Sequence, residues 1–491
     1  MNHALRRISL ACLVMFVLLL INVNYLQAFQ ANSLADRSGN IRSFDQAYQY
    51  QRGSITTADG VTIAKSRPVK GIYKFQRYYP YGSVYAPVTG YDSLYSQSAI
   101  EQAENKLLSG TDPTLTVPNL INLITGKPQQ GASVQVTINS KAQQAAYDAL
   151  KAAGKSGGVV AVDPQTGAIL ALASYPSFNP NAYATFNGQK LDKLDAKLRH
   201  EASQPLLDRA INASYPPGST FKIVTSSTAI GNGGYNSQTS VYAPTSLALA
   251  DTTNRLINSD GEACGGGGGH VPLILAFAQS CNTVFGYIGI KLGSAALKQE
   301  AEKFGMNSSS LTIPMQVSPS NYVLAAGQAL TAYSAIGQYS DTVTPLQEAM
   351  FSSAIANGGK LMKPYLVQDV KAPDLTTVQA KTDQLSQPVS ANVASQIKNM
   401  MISVVQSSYG TAHAVPGILA PGLNIAGKTG TAQNGTNNTN LNDAVFTAFA
   451  PADNPTIAIG VVIKGGGYGA AAAAPIAVQV IKAYLAFLGR Q

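Results

Sequence analysis

The sequence predicts an α/β chain. One large domain carries a sheet covered by helices, a smaller mixed module precedes it, and a membrane-length apolar helix stands at the N-terminus. Three observations carry this reading. Strand-like apolar runs stand at both ends of the large region with helical patterns between them, which suits a sheet packed on helices. Hydrophobic residues make up 45% of the 491 and charged residues only 12%, enough to fill a large core. Residues Ile8 to Phe29 form one apolar stretch, interrupted by Asn22 and Asn24. The expected division is a tail over 1–7, an anchor over 8–29, a module over 30–130 and the large domain over 131–491.

The elements follow in order. Roughly 20 apolar residues cross a bilayer as a helix, and Arg6 and Arg7 hold the leading end in the cytoplasm. A cleaved signal peptide is the rival, but Leu26, Gln27 and Ala28 make a poor small-x-small cleavage site. An uncleaved anchor in the cell membrane is expected, with everything after about residue 30 outside the cytoplasm. The module is polar and tyrosine-rich, and Tyr78, Tyr79, Tyr81 and Tyr85 fit local packing better than an interaction stripe. In "VTINSKAQQAAYDALKAAGKSGG" Asn139 caps a helix through Leu150 that Gly154 stops. "GVVAVDPQTGAILALASYP" reads as a hairpin about Asp163 to Gly167. A helix starts at Ser219, and another runs from Ser294 as cap to Phe304, with Gly305 as stop. "LNIAGKTGTAQ", "AVFTAFAP" and "TIAIGVVIK" are strand-like, and "APIAVQVIKAYLAFL" closes as an apolar helix. The glycines at 265–269 and "GGGYGAAAAAP" at 465–475 read as loops, the first of them mobile.

Several classes fall away on composition. The net charge is +9, but the basic residues are scattered with no run of five, so no nucleic-acid arm is expected. His200, His270 and His413 lack metal-ligand spacing, and no metal or cofactor is expected. Cys12 lies in the anchor, while Cys264 and Cys281 face a compartment where a disulfide can persist. The sequence leaves open whether those two are bridged or are buried thiols.

The chemistry starts at "YPPGSTFK", where Ser219 and Lys222 stand at i and i+3 on one helix face. A serine needs a neighbouring base, and lysine serves as one when burial or another cation lowers its pKa. At the start of a helix the serine N–H is free to donate to an oxyanion. Alone, S-x-x-K is more often a capping serine and a lysine on a solvated helix face. Two further stretches sharpen it. In "AFAQSCNTVFG", Ser280 suits proton relay and Asn282 suits holding the lysine and the substrate backbone. In "GKTGTA", Lys428 brings a second positive charge for Lys222 and for a substrate carboxylate. Thr429 belongs to the same wall, Gly430 leaves room for an extended peptide, and Thr431 offers a second oxyanion N–H. S-x-x-K, then S-x-N, then K-T-G, each on a suitable element, is a strong signal.

With those motifs, "RGSITTADGVTIA" at 52–64 and "TPLQEAMFSSAIANGG" at 344–359, the chain resembles a class B penicillin-binding protein, the actinobacterial type with one small module. The resemblance implies a transpeptidase domain of the penicillin-binding and serine β-lactamase type, with an antiparallel sheet flanked by helices. It implies an acylated Ser219 with Lys222 as base, and Ser280, Asn282, Lys428, Thr429, Gly430 and Thr431 around the substrate. The activity implied is D,D-transpeptidation of peptidoglycan stem peptides ending in D-Ala-D-Ala, with acylation by β-lactams. Division or elongation proteins are implied partners, and no cofactor is. A β-lactamase needs a deacylating glutamate, yet no acidic residue lies between Glu302 and Asp341. A D,D-carboxypeptidase differs only in its acceptor, and a non-catalytic divisome scaffold or sensor would tolerate loss of Lys428 or Asn282. A glycan-polymerising domain does not fit in the roughly 100 residues after the anchor.

Overall fold

The computed structural model describes residues 3–30, 48–112, 115, 130–267, 269–372, 377–379, 382–433 and 441–489. Helix α1 (His3–Tyr25) passes into a π-helical turn, Leu26–Gln30. The segment Leu5–Gln30 is long and apolar enough to cross a membrane, and its apolar window is unburied.

Strands β1 (Ile55–Thr56), β2 (Thr62–Pro68) and β3 (Phe75–Tyr78) begin the module. Its apolar interior, with Ile55, Ile63, Val88, Ile100 and Leu108 buried, also holds an ionic cluster. Glu101 accepts from Arg52 Nε at 2.6 Å and from Arg77 Nε at 2.5 Å, with all three side chains nearly or fully buried. A buried charge is tolerable only when paired and hydrogen-bonded in this way. Tyr79 and Tyr85 are buried, and Arg67 lies 3.6 Å over the Tyr78 ring, so local packing accounts for most of the tyrosine run. Tyr81 is exposed.

After β4 (Ser133–Val136), Asn139 caps α2 (Ser140–Ala153) by accepting from the N–H groups of Lys141 and Ala142. Such a cap contributes about 1 kcal/mol. Gly154, at φ +65°, ends the helix in the left-handed region. β5 (Gly157–Val162) and β6 (Ile169–Tyr175) form the expected hairpin. Asp163 builds its turn, accepting from the Gln165 N–H and the Thr166 hydroxyl. Helices α3 (Lys222–Asn232), α4 (Leu273–Ala278), α5 (Asn282–Leu292) and α6 (Pro345–Ala356) follow. Then come β7 (Val367–Lys371), β8 (Thr377–Gln379) and α7 (Ala391–Gln406). The chain closes with β9 (Ala426–Ala432), β10 (Asp443–Ala450), β11 (Ile457–Ile463) and α8 (Gly469–Phe487).

The central sheet runs β9-β10-β11-β5-β6, antiparallel throughout. Every residue of β5, β10 and β11 is buried, which is why these strands read as continuous apolar runs and why both faces must be covered. Helices α2 and α8 pack together against the sheet, and α6 packs against β5, β10 and β11. Gly460 lets α6 approach: a Cβ there would lie 2.3 Å from the Pro345 carbonyl oxygen. A second sheet runs β8-β7-β4-β1-β2-β3, with β1 and β4 parallel. Among the described residues, 30–130 therefore supply β1, β2 and β3 of it, and later segments complete it.

Two local expectations change. Gly293, not Ser294, is the N-cap of the helix Ser294–Lys303, because the Ser294 hydroxyl is taken up by the Tyr322 hydroxyl and the Ala325 N–H. The stretch at 465–475 is loop only to Tyr468. Ala470 to Ala474, the strongest helix formers, extend α8 through it, with Pro475 inside the helix. Of the other glycine run, Gly265 and Gly266 form a 3-10 turn pinned by a 2.8 Å bond from Gly265 N–H to Gln279, and Gly269 begins a β ladder.

Glu348 on α6 is fully buried, with Oε1 2.8 Å from the Thr220 hydroxyl and Oε2 unpartnered. Burial pushes its carboxyl up to about 8. Its contribution to stability is complete below the unfolded carboxyl value and is lost as pH climbs towards 8, by about 1.4 kcal/mol per pH unit. Glu348→Gln is expected to remove that slope. Thermal unfolding should show the variant gaining on wild type between about pH 5 and pH 8, whereas a constant difference would mean Glu348 is ionised in the fold.

Candidate active site

The approach to Ser219 is fixed by backbone bonds. Tyr215 exchanges two with Val343, at 2.9 and 2.8 Å, and Gly218 N–H donates to Gly337 O at 2.9 Å. Gly218 needs to be glycine: its φ is +55°, and a Cβ would lie 2.8 Å from the Thr431 carbonyl oxygen. Ser219 does not start an α-helix, as the spacing suggested. It sits in a 3-10 turn, Gly218–Phe221, and α3 starts at Lys222. The tighter turn eclipses positions i and i+3, which places Lys222 over Ser219 more directly than an α-helix would. Lys222 Nζ lies 3.0 Å from Ser219 Oγ.

Ser280 and Asn282 meet the same ammonium from the other side. Helix α4 ends in a paired set of bonds, Ser280 N–H to Phe277 O and Cys281 N–H to Ala276 O. In that ending the residue after the cap is left-handed, a place where glycine is commonest. Here it is serine, at φ +59°. The strained corner aims both Ser280 oxygens inward: its carbonyl lies 2.8 Å and its hydroxyl 3.3 Å from Lys222 Nζ. Asn282, first in α5, accepts from Lys222 through Oδ1 at 2.7 Å and donates through Nδ2 to Ile257 O at 3.2 Å. Cys281 is buried between them and is joined to Cys264 in a disulfide.

The third wall is β9, the outer strand of the central sheet. Lys428 donates to Ser280 Oγ at 2.8 Å and to Thr429 O at 3.0 Å. Gly430 does its work on the inner side of the strand: a Cβ would lie 2.9 Å from Pro217 O and 3.1 Å from Thr220 Cγ2. Its smallness lets the strand close on the Ser219 turn, rather than making room for a peptide. Thr431, half-buried, abuts Gly218 through its carbonyl.

Both lysines are fully buried. Among the described residues, no carboxylate is bonded to either lysine or to Ser219. Burial, and next the charge of Lys428, hold the Lys222 amine well below the usual lysine value. Burial alone brings Lys428 down to about 7. A neutral Lys222 has two protons and one lone pair. Its two close acceptors, Ser280 O and Asn282 Oδ1, have no proton to give, so they take both N–H groups. The lone pair is left for the Ser219 hydroxyl. Such a centre can take a proton from serine and pass it along Ser280, and no cluster of three or more His, Cys, Asp or Glu accompanies it among the described residues.

Ser219, Lys222, Ser280, Asn282 and Lys428 are thus joined in one hydrogen-bonded group, with Gly430 and Thr431 packed against the Ser219 turn. Two neighbours carry no local motif. Thr411, in the loop after α7, has its hydroxyl 2.6 Å from that of Thr429. Glu348 backs the turn through Thr220. The sequence signals neither, because each contact joins segments far apart in the chain.

The penicillin binding protein transpeptidase domain family matches residues 157–482, and the penicillin binding protein A dimerisation domain matches residues 52–134. The peptidoglycan D,D-transpeptidase PbpA of Mycolicibacterium smegmatis is 40% identical over 496 residues, covering 99% of each chain. The protein of the same name from Mycobacterium tuberculosis is 39% identical over 498 residues, again covering 99% of each. A solved structure of penicillin-binding protein A from M. tuberculosis, a ceftriaxone acyl-enzyme complex, superposes with a TM-score of 0.85 at 38% identity, covering 90% of this chain and 100% of that one. Its penicillin G acyl-enzyme complex gives 0.84 at 38% identity, with 89% and 100% covered.

Removing the charge of Lys428 while keeping its bulk, as Lys428→Met, is expected to raise the Lys222 pKa, because a neighbouring positive charge disfavours the ammonium. A nitrogen-15 titration of the lysine amines checks this. A Lys222 titration that stays put or falls would show that Lys428 does not depress it.

Proposed function

The chain belongs to the penicillin-binding protein transpeptidase family and is a peptidoglycan D,D-transpeptidase, in which we propose that Ser219 is the acylated nucleophile and Lys222 its base. The observation that carries the assignment is the convergence on one buried amine: Lys222 Nζ is 3.0 Å from Ser219 Oγ, between Ser280 and Asn282.

The geometry supports the following steps. Lys222 takes the Ser219 proton as Oγ attacks the carbonyl of the penultimate D-Ala. The oxyanion lies against the N–H of Ser219, in the first turn where backbone donors are unused, and that of Thr431. Lys222, now an ammonium, passes its proton through Ser280 to the departing D-Ala amine. An acceptor amine then attacks the acyl-enzyme, and the protons return by the same route. Lys428 and Thr429 hold the terminal carboxylate of the donor, and Asn282 holds its backbone. A β-lactam enters by the same attack, but its leaving amine stays tethered.

Residues 131–491 carry this chemistry and residues 30–130 form a non-catalytic module beneath it. The matched family ranges, 157–482 and 52–134, support that division. The apolar helix is a single membrane anchor, and Arg6 and Arg7 support an orientation with the catalytic domain outside the cell membrane. Division or elongation proteins are its partners there.

Ser219→Ala is expected to abolish covalent labelling by a fluorescent penicillin with no change in unfolding temperature. Labelling that survives removes Ser219 from the role. The full chain in detergent, given a stem-peptide donor and an amine acceptor, should yield cross-linked product in excess. Predominant hydrolysis would make it a carboxypeptidase.

A further inference from the structure

We propose that Thr411 is a specificity-determining positioning residue, which turns the Thr429 hydroxyl towards the carboxylate of the substrate. The inference rests on the transpeptidase assignment above.

Thr411 is held from three directions. Its N–H donates to Ala278 O at 3.1 Å, the last residue of α4, whose end carries Ser280. Its loop folds tightly back on α7: Ala412 N–H donates to Val404 O at 3.0 Å, and a Cβ on Gly410 would lie 2.3 Å from that same oxygen. Its hydroxyl is 2.6 Å from that of Thr429. Thr411 thus ties the Ser280 corner to the Lys428 strand through one side chain.

Proton counting gives the pair a function. Two hydroxyls at 2.6 Å share one proton between them, and the one that accepts keeps its own for a third partner. Among the described residues neither hydroxyl has another protein partner. Thr429 is 7% exposed and follows Lys428, whose ammonium is committed to Ser280 and to the Thr429 carbonyl. If Thr411 donates, the Thr429 O–H is the spare donor, next to a positive charge, and a carboxylate is the group that uses both. A donor that is itself accepting a hydrogen bond is polarised and binds an anion more strongly. Without the Thr411 hydroxyl, Thr429 is free to rotate its proton elsewhere.

The test compares wild type, Thr411→Val and Thr411→Ser as full chains in detergent, acylated by penicillin G and by its methyl ester. Thr411→Val is expected to lower the second-order acylation constant for penicillin G by about tenfold, as loss of a bond to a charged group would. The loss should lie in binding rather than in the acylation rate at saturation. The ester, which lacks the charge, should change by less than about twofold, and Thr411→Ser should regain most of the loss. Equal losses on both compounds with an unchanged unfolding temperature, or no loss at all, overturn the proposal. Persistent labelling of Ser219→Ala is a different result, and sinks the nucleophile assignment whatever Thr411 does.

Discussion

The site depends on keeping two amines out of water without a counter-charge. Lys222 and Lys428 are both fully buried, and burial leads the causes that depress each. An unpaired buried ammonium is costly, and with the charge of Lys428 beside it Lys222 is the one that sheds its proton. That gives Lys222 the lone pair a base needs at neutral pH. A carboxylate beside it would stabilise the ammonium, strengthen the fold and end the chemistry.

Much of the surrounding structure serves that condition. The oxygens that meet Lys222 are two serine hydroxyls, one backbone carbonyl and one side-chain amide, none ionised. Bringing them together takes strained or open backbone: Ser280 at φ +59°, Gly218 at φ +55°, and Gly430, where a Cβ would strike Pro217. Residues in such conformations persist only when the surroundings over-determine them. Here the end of α4, the start of α5 and the disulfide from Cys281 to Cys264 all hold the Ser280 corner. The antiparallel sheet supplies the rigid wall on which Lys428 is presented.

What the sequence made legible follows from how local each signal is. The runs of β5, β10 and β11 are apolar on both faces because both faces are covered, so they stood out as strands. Asn139 and Gly154 mark the ends of α2 by side chain and backbone alone. The three motifs could be read as a set because each brings its candidate residues within a few positions. The alanines before Pro475 were hidden by the glycines preceding them, and only packing of Gly469 against Gly430 and Val445 shows why α8 begins there. Tertiary bonds took Ser294 away from its capping role. Thr411 and Glu348 act through contacts between distant segments, which no spacing rule encodes.

Glu348 shows how the nucleophile turn tolerates an acid nearby. Thr220, next to Ser219, has one hydroxyl proton and two acceptors at 2.8 Å, Pro217 O and Glu348 Oε1. A carbonyl cannot donate, so both contacts are satisfied together only when Glu348 carries a proton and gives it to Thr220. The same burial that raises the carboxyl to about 8 provides that proton at neutral pH. Glu348 therefore braces the turn as a neutral acid, and among the described residues Lys428 is the charged group that bears on Lys222. An ionised carboxylate in that place would compete with Pro217 for the Thr220 proton, and its field would favour the protonated lysine. Desolvation thus sets both groups in the states the proposed mechanism needs: the acid uncharged behind the turn, the amine uncharged in front of it.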